Sequence, residues 1–172
     1  MSMIFQLRMI GTEDEEFLRD YELPYTLTLL DFHRFICTDL EYDPMNMSSF
    51  FTSNERWEQE QEFTLADMGG GYEGAPLPME SVTLGQLLRK NHDRLIYVFD
   101  PFGERALFLE LLGTIKRMDG IEYPRTHLGK GKAPEQFDPK AMEGAGITDS
   151  VFQEAMDDFF EFDGDDFYDD EF

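Results

Sequence analysis

The chain opens on strict alternation, with Ile4, Gln6 and Arg8 interleaved between Phe5, Leu7 and Met9. A period of two is the pattern of a strand with one wetter face. Residues 16–25 mix charged and apolar side chains up to Pro24, which predicts a second strand and a hairpin around Gly11 to Asp14. From Leu29 the period changes. Leu29, Phe32, Ile36 and Leu40 recur at helical spacing, with Leu30, His33 and Cys37 beside them, and Thr28 stands where an N-cap belongs. Short strands are expected over 48–53 and 57–65. Three consecutive glycines and two prolines then make 67–78 a loop, and Ser81 or Thr83 can start a short helix over 84–89.

The strongest strand pair lies at 94–99 and 105–116. Leu95 to Phe99 and Ala106 to Leu109 are unbroken apolar runs, the pattern of strands buried on both faces. Asp100, Pro101, Phe102 and Gly103 between them are turn formers. This hairpin, over about 94–116, is expected at the centre of the sheet. Strands interrupted by two or three helices, without βαβ repetition, predict an α+β fold with a mostly antiparallel sheet.

Further on the pattern fades. Residues 119–147 are rich in Gly, Pro and Lys and read as a loop segment completing a single domain over 1–147. Residues 148–172 read as a short helix, opened by a capping box at Ser150 to Gln153, and an acidic tail. In that tail Phe159, Phe160, Phe162, Phe167, Tyr168 and Phe172 are interleaved with nine carboxylates. Acidic-aromatic alternation belongs to interaction segments, so a protein partner is expected through it.

Charge narrows the function classes. Fourteen Lys and Arg against 37 Asp and Glu give −23, and the chain before Asp157 still carries −14 because no cation follows Lys140. A surface so negative repels phosphate backbones and anionic lipid, so neither direct nucleic-acid binding nor membrane association is expected, Lys130, Lys132 and Lys140 being the sole clustered cations. A single Cys37 excludes an internal disulfide, three histidines leave little for a soft-metal site, and no signal-like apolar run opens the chain. These features point to the cytoplasm, with no cofactor and no metal.

Candidate chemistry is sparse. Gly69 to Gly74 lacks the Gly-Lys-Ser/Thr of a phosphate loop, and Asp163 to Asp169 places its glycine at the second rather than the sixth position of a calcium loop. His33 with Cys37 one helical turn on resembles a base and nucleophile, yet a core-edge histidine is the simpler account. Tyr123, Arg125 and His127 gather groups able to bind an anion, within what reads as an irregular positive loop.

Taken in order, the opening strand pair, Leu27 to His33, Phe50-Phe51, Tyr97 to Glu104, Tyr123-Pro124 and Gly131 to Glu135 resemble the plasmid pRi open-reading-frame-three-like family. Its members include passenger proteins of insertion elements. The resemblance implies an α+β fold and a polar cluster drawn from the first helix, the Asp-Phe-Gly turn and a late Cys-Pro-Pro-Glu-Asp stretch. Phe32-His33 and Asp100, Phe102, Gly103 and Glu104 match, with Pro101 inserted. The Trp and His that follow the turn are replaced by Arg105 to Phe108, and the late stretch is reduced to Ala133-Pro134-Glu135-Gln136. The reading favoured by the sequence is a non-enzymatic interaction module. One alternative is a hydrolase-like enzyme using His33 with Asp100 and Glu104, and another is an acidic nucleic-acid mimic that binds basic proteins.

Overall fold

The computed structural model describes residues 3–137. Strands β1 (Met3–Ile10) and β2 (Leu18–Pro24) form the opening hairpin, followed by helix α1 (Leu29–Leu40). Strands β3 (Ser49–Ser53), β4 (Gln59–Thr64) and the two-residue β5 (Leu77–Pro78) come next. A 3-10 turn at Met79–Ser81 and the short helix α2 (Leu84–Leu87) lead into β6 (Arg94–Asp100), β7 (Arg105–Lys116) and β8 (Arg125–Lys130). All eight strands join one sheet in the order β5-β4-β3-β6-β7-β1-β2-β8, so the β6–β7 hairpin is central as its apolar runs predict. Residues up to Gln136 make one compact unit.

The α+β class holds, but the sheet is mixed. The β4–β5 pair is parallel, while the remaining pairs are antiparallel. Two further expectations are corrected. The segment 119–147 is not wholly loop, because Arg125–Lys130 pairs with β2 as an edge strand. Nor is β7 buried on both faces: Leu107, Leu109 and Leu111 are buried, whereas Ala106, Phe108 and Glu110 are half-buried. The helices cover one face only, and the alternate positions of β7 look out from the other. In β6, by contrast, Leu95 to Phe99 are all buried. The helix expected after Ser150 and the acidic tail lie outside the described residues.

Helix α1 starts where Thr28 Oγ1 accepts the Asp31 amide at 3.1 Å and ends at Glu41, whose left-handed backbone lets its N–H reach the Cys37 carbonyl. Its stripe of Leu29, Phe32, Ile36, Cys37 and Leu40 packs with Phe5, Leu7, Tyr21, Phe50, Tyr97 and Leu107 from five strands. Fully burying each large apolar side chain contributes about 1.5–3 kcal/mol. This stripe is therefore what holds the helix on the sheet. The starts of the two helices are locked together by Leu29 N–H to Val82 O and Leu84 N–H to Leu27 O, at 3.1 and 2.9 Å.

The helix-free face carries two parallel rows set by register. One is apolar, running through Phe51, Ile96, Phe108, Ile10 and Leu18 on neighbouring strands. The next is charged, running through Arg94, Glu110, Arg8 and Asp20. Alternating signs pair across it, Arg94 with Glu110 at 3.1 Å and Arg8 with Asp20 at 2.8 Å. Trp57 lies against Phe108 at 5.2 Å between centroids and beneath the Arg94 guanidinium, covering part of the apolar row. At the end of β8, Gly131 takes φ 71°, and a Cβ there would stand 2.7 Å from the Glu16 carbonyl oxygen, so glycine is required for the chain to turn over the opening hairpin.

Because the described residues build a core around α1 and the sheet, a chain ending at residue 156 is expected to unfold in one cooperative thermal transition. Loss of that transition would show that side chains beyond 156 belong to the core.

Candidate functional site

His33 faces inward from α1 and is 1% exposed. Its Nε2 lies 2.8 Å from the Pro44 carbonyl oxygen, which only accepts, so Nε2 carries the proton. Nδ1 is then the acceptor for the Tyr97 hydroxyl at 2.8 Å, with Ser48 Oγ at 3.3 Å. The Cys37 thiol stands 3.6 Å from the same hydroxyl and 3.8 Å from each ring nitrogen. Burial pushes the imidazole pKa below its ordinary value and pushes the Cys37 thiol and the Tyr97 phenol up. The cluster is neutral throughout. A protonated thiol that is 2% exposed is no nucleophile, and an imidazole with both nitrogens engaged by protein has no place for a substrate proton.

Asp100 and Glu104 lie elsewhere, in the β6–β7 turn. Asp100 Oδ1 accepts the Gly103 amide at 3.1 Å and its Oδ2 faces Arg105 at 3.3 Å. A Cβ on residue 103 would stand 2.5 Å from Asp100 Oδ2, which explains the glycine. Glu104 is exposed, with a left-handed backbone at φ 55°. His33 hydrogen-bonds to neither carboxylate.

The residue that does gather segments is Arg105. Its guanidinium meets Glu13 at 3.0 Å, Asp100 at 3.3 Å, and the carbonyl oxygens of Glu135 and Gln136 at 2.7 and 3.3 Å. It also lies 4.8 Å above the Phe99 ring. Burial works against its charge, and the Glu13 and Asp100 carboxylates outweigh that and raise its pKa. The late stretch is pinned a second time: Tyr42 Oη donates to Pro134 O at 2.6 Å, and the Gln136 side-chain amide exchanges hydrogen bonds with the Asp43 backbone at 2.8 and 3.1 Å. Asp43 adjoins Pro44, whose carbonyl holds His33. Helix, turn and late stretch thus converge, though around an arginine that marks itself in sequence only as a charge opening an apolar run. Tyr97 was equally easy to miss. Its signal is a lone hydroxyl inside the run Leu95 to Phe99, which needs a partner when buried.

Arg125 does not form an anion cradle with its neighbours. Its Nε donates to Glu22 at 2.5 Å, neutralising a carboxylate only 4% exposed, and the Tyr123 ring lies under Arg117 and Arg125 at 5.1 and 5.9 Å. His127 is exposed on β8, a strand rather than the irregular loop its composition suggests.

This convergence of the Phe32-His33 helix, the Asp-Phe-Gly turn and the late stretch matches the order of motifs in the sequence. The family model described as plasmid pRiA4b ORF-3-like protein matches residues 3–163. The chain belongs to that family. A search of curated proteins finds no match. Among solved structures, the pRiA4b ORF-3-like chain is similar to the crystal structure of a protein of unknown function, MM3350, from Methanosarcina mazei Go1. The two are 19% identical, with a TM-score of 0.63 over 78% of this chain and 74% of the other. That likeness concerns the fold. Among the described residues of this family member, no three His, Cys, Asp or Glu side chains gather as metal ligands would, and no helix is long and apolar enough to cross a membrane.

Two outcomes follow from the cluster. His33→Ala removes the acceptor of the buried Tyr97 hydroxyl, leaving it only the weak Cys37 thiol, and is expected to lower stability by about 1–3 kcal/mol in urea unfolding. An unchanged midpoint would contradict the structural role. With pH the sign is fixed by burial: the folded-state pKa is depressed, so the unfolded chain takes up the proton first. The contribution of neutral His33 is full above about pH 6.5 and is lost as pH falls below it. His33→Gln should therefore flatten the decline of melting temperature between pH 7.5 and 5, and a parallel decline in both proteins would contradict this.

A third outcome concerns Arg105. Arg105→Ala is expected to cost roughly 2 kcal/mol, less than the roughly 3–5 kcal/mol of a fully buried pair because Glu13 is partly exposed. Arg105→Lys should recover only part of that loss, since an ammonium cannot reproduce the guanidinium fork. Full recovery by lysine would show that charge alone matters.

Proposed function

We propose that this protein is a non-enzymatic protein-interaction module. The observation that carries the reading is the cluster of large apolar side chains left in water at one end of the sheet. Phe102, at the tip of the β6–β7 turn, is 89% exposed, and Met45 and Met47, in the connection from α1 to β3, are 86% and 59% exposed. Ser49 pairs with Val98, so the chain just before β3 and the chain just after β6 leave the sheet at the same end. Water-exposed aromatic and thioether groups gathered in this way favour docking against a partner, and methionine adapts to irregular surfaces.

The groups that invited a catalytic reading are engaged in holding the fold, as described above for His33, Cys37 and Asp100. The tail over 157–172, with its alternating aromatics and carboxylates, supports a second contact with the same or another protein. A single cysteine supports a cytoplasmic setting, and membership of the family supports a link to mobile elements.

The test is affinity capture from an extract of the source cell, followed by reconstitution with the captured protein in pure form. A triple variant, Met45→Ser, Met47→Ser and Phe102→Ser, is expected to keep its melting temperature and lose the reconstituted complex. A complex of equal affinity with the triple variant would overturn the reading.

A further inference from the structure

Beside the exposed turn, the helix-free face of the sheet contains a groove of about 390 Å³. It is lined by the apolar Phe51, Val98, Pro101 and Ala106, by Ser49 and Gln59, and by the carboxylates Glu62 and Glu104. On the same sheet Asp20, Glu22, Glu110 and Asp100 each face an arginine within 3.3 Å, whereas among the described residues no cation lies within ion-pair distance of Glu62 or Glu104. Glu62 accepts one hydrogen bond, from Ser49 Oγ at 3.0 Å, and Glu104 belongs to the turn that also exposes Phe102.

We infer that this groove binds a cationic and apolar protein segment, one that sets bulky apolar side chains on Phe51, Val98 and Pro101 while its Lys or Arg side chains meet Glu62 and Glu104. The inference rests on the interaction-module reading and names the chemistry of the partner. Charge complementarity selects the occupant. A formal charge of −23 attracts basic segments over long range and repels acidic ones, and two carboxylates without a cation partner among the described residues, beside apolar side chains, convert that general attraction into a defined position. The volume admits a few side chains and no folded domain, so the occupant is a short stretch of chain. An acidic mimic of nucleic acid would behave differently, since it would hold basic partners by total charge with no contribution from apolar side chains.

The probe is a fluorescein-labelled heptapeptide of alternating Lys and Leu, titrated against the full chain by anisotropy at physiological salt. Matched peptides of Lys and Ser, and of Glu and Leu, serve as controls. Glu62→Gln with Glu104→Gln is expected to weaken the Lys-Leu peptide about tenfold, the equivalent of 1.4 kcal/mol. Glu73→Gln with Glu80→Gln removes the same charge from exposed positions that do not line the groove, and should change binding less than twofold. The Lys-Ser peptide should bind more weakly than Lys-Leu, and Glu-Leu should not bind. Equal weakening by both double variants, equal affinity for Lys-Ser and Lys-Leu, or no binding of Lys-Leu would each overturn the groove assignment. A partner that is captured through Phe102, Met45 and Met47 yet binds the Glu62 and Glu104 variant at full affinity would sink the groove and leave the interaction module standing.

Discussion

The hydrogen bond from the Tyr97 hydroxyl to His33 ties the one long helix of the described residues to the central strand of the sheet, and much of the structure hangs from it. Helix α1 must carry the chain from β2, near one edge, back to β3 on the far side of the central hairpin. It does so across an apolar floor that specifies burial but not position. His33 supplies the position: Nδ1 fixes the helix over β6, and Nε2 fixes the Pro44 connection that delivers the chain to β3. Ser48 and Cys37 complete the shell, so the polar groups of the cluster are satisfied without water, consistent with the lack of any buried unpartnered side-chain N or O among the described residues.

Arg105 supplies the second fixed point. A chain this acidic would be pushed apart by its own charge if the few cations were scattered on the surface. Arg8, Arg19, Arg94, Arg105 and Arg125 instead lie within 3.3 Å of carboxylates, several of them partly shielded from solvent. Each such pair removes a repulsive centre from the sheet while fixing register or a connection. Asp39 shows the same economy: it accepts from Tyr21 and Thr126 and faces Arg19, joining α1 to β2 and β8 at once.

Elements with a buried face were legible in the sequence, and elements without one were not. Alternation located β1, helical spacing located α1 with its Thr28 cap, and the continuous run Leu95 to Phe99 located a strand covered on both sides. The β8 strand escaped because Arg125-Thr126-His127-Leu128-Gly129-Lys130 is a solvent-facing edge with one large apolar residue, so no period of two is written into it. The parallel β5 contributes two residues, too few for any pattern. At the site, His33 and the turn residues were visible as types, but their partners were not. Which hydroxyl meets His33, and which guanidinium gathers Glu13, Asp100 and residues 135–136, depends on strand register and on contacts across 30 to 92 residues of sequence.

His33 with Tyr97, and Arg105 with Asp100, hold helix, turn and late stretch together, and the surface around the turn is left for recognition. The claim is tested most directly by nitrogen NMR of the His33 ring from pH 5 to 8. The ring is expected to be neutral and protonated at Nε2 at pH 7 and above, and to titrate below the ordinary value of a free imidazole because it is buried. A ring that titrates at or above the ordinary value near 6.5, or that carries its proton on Nδ1, would contradict it.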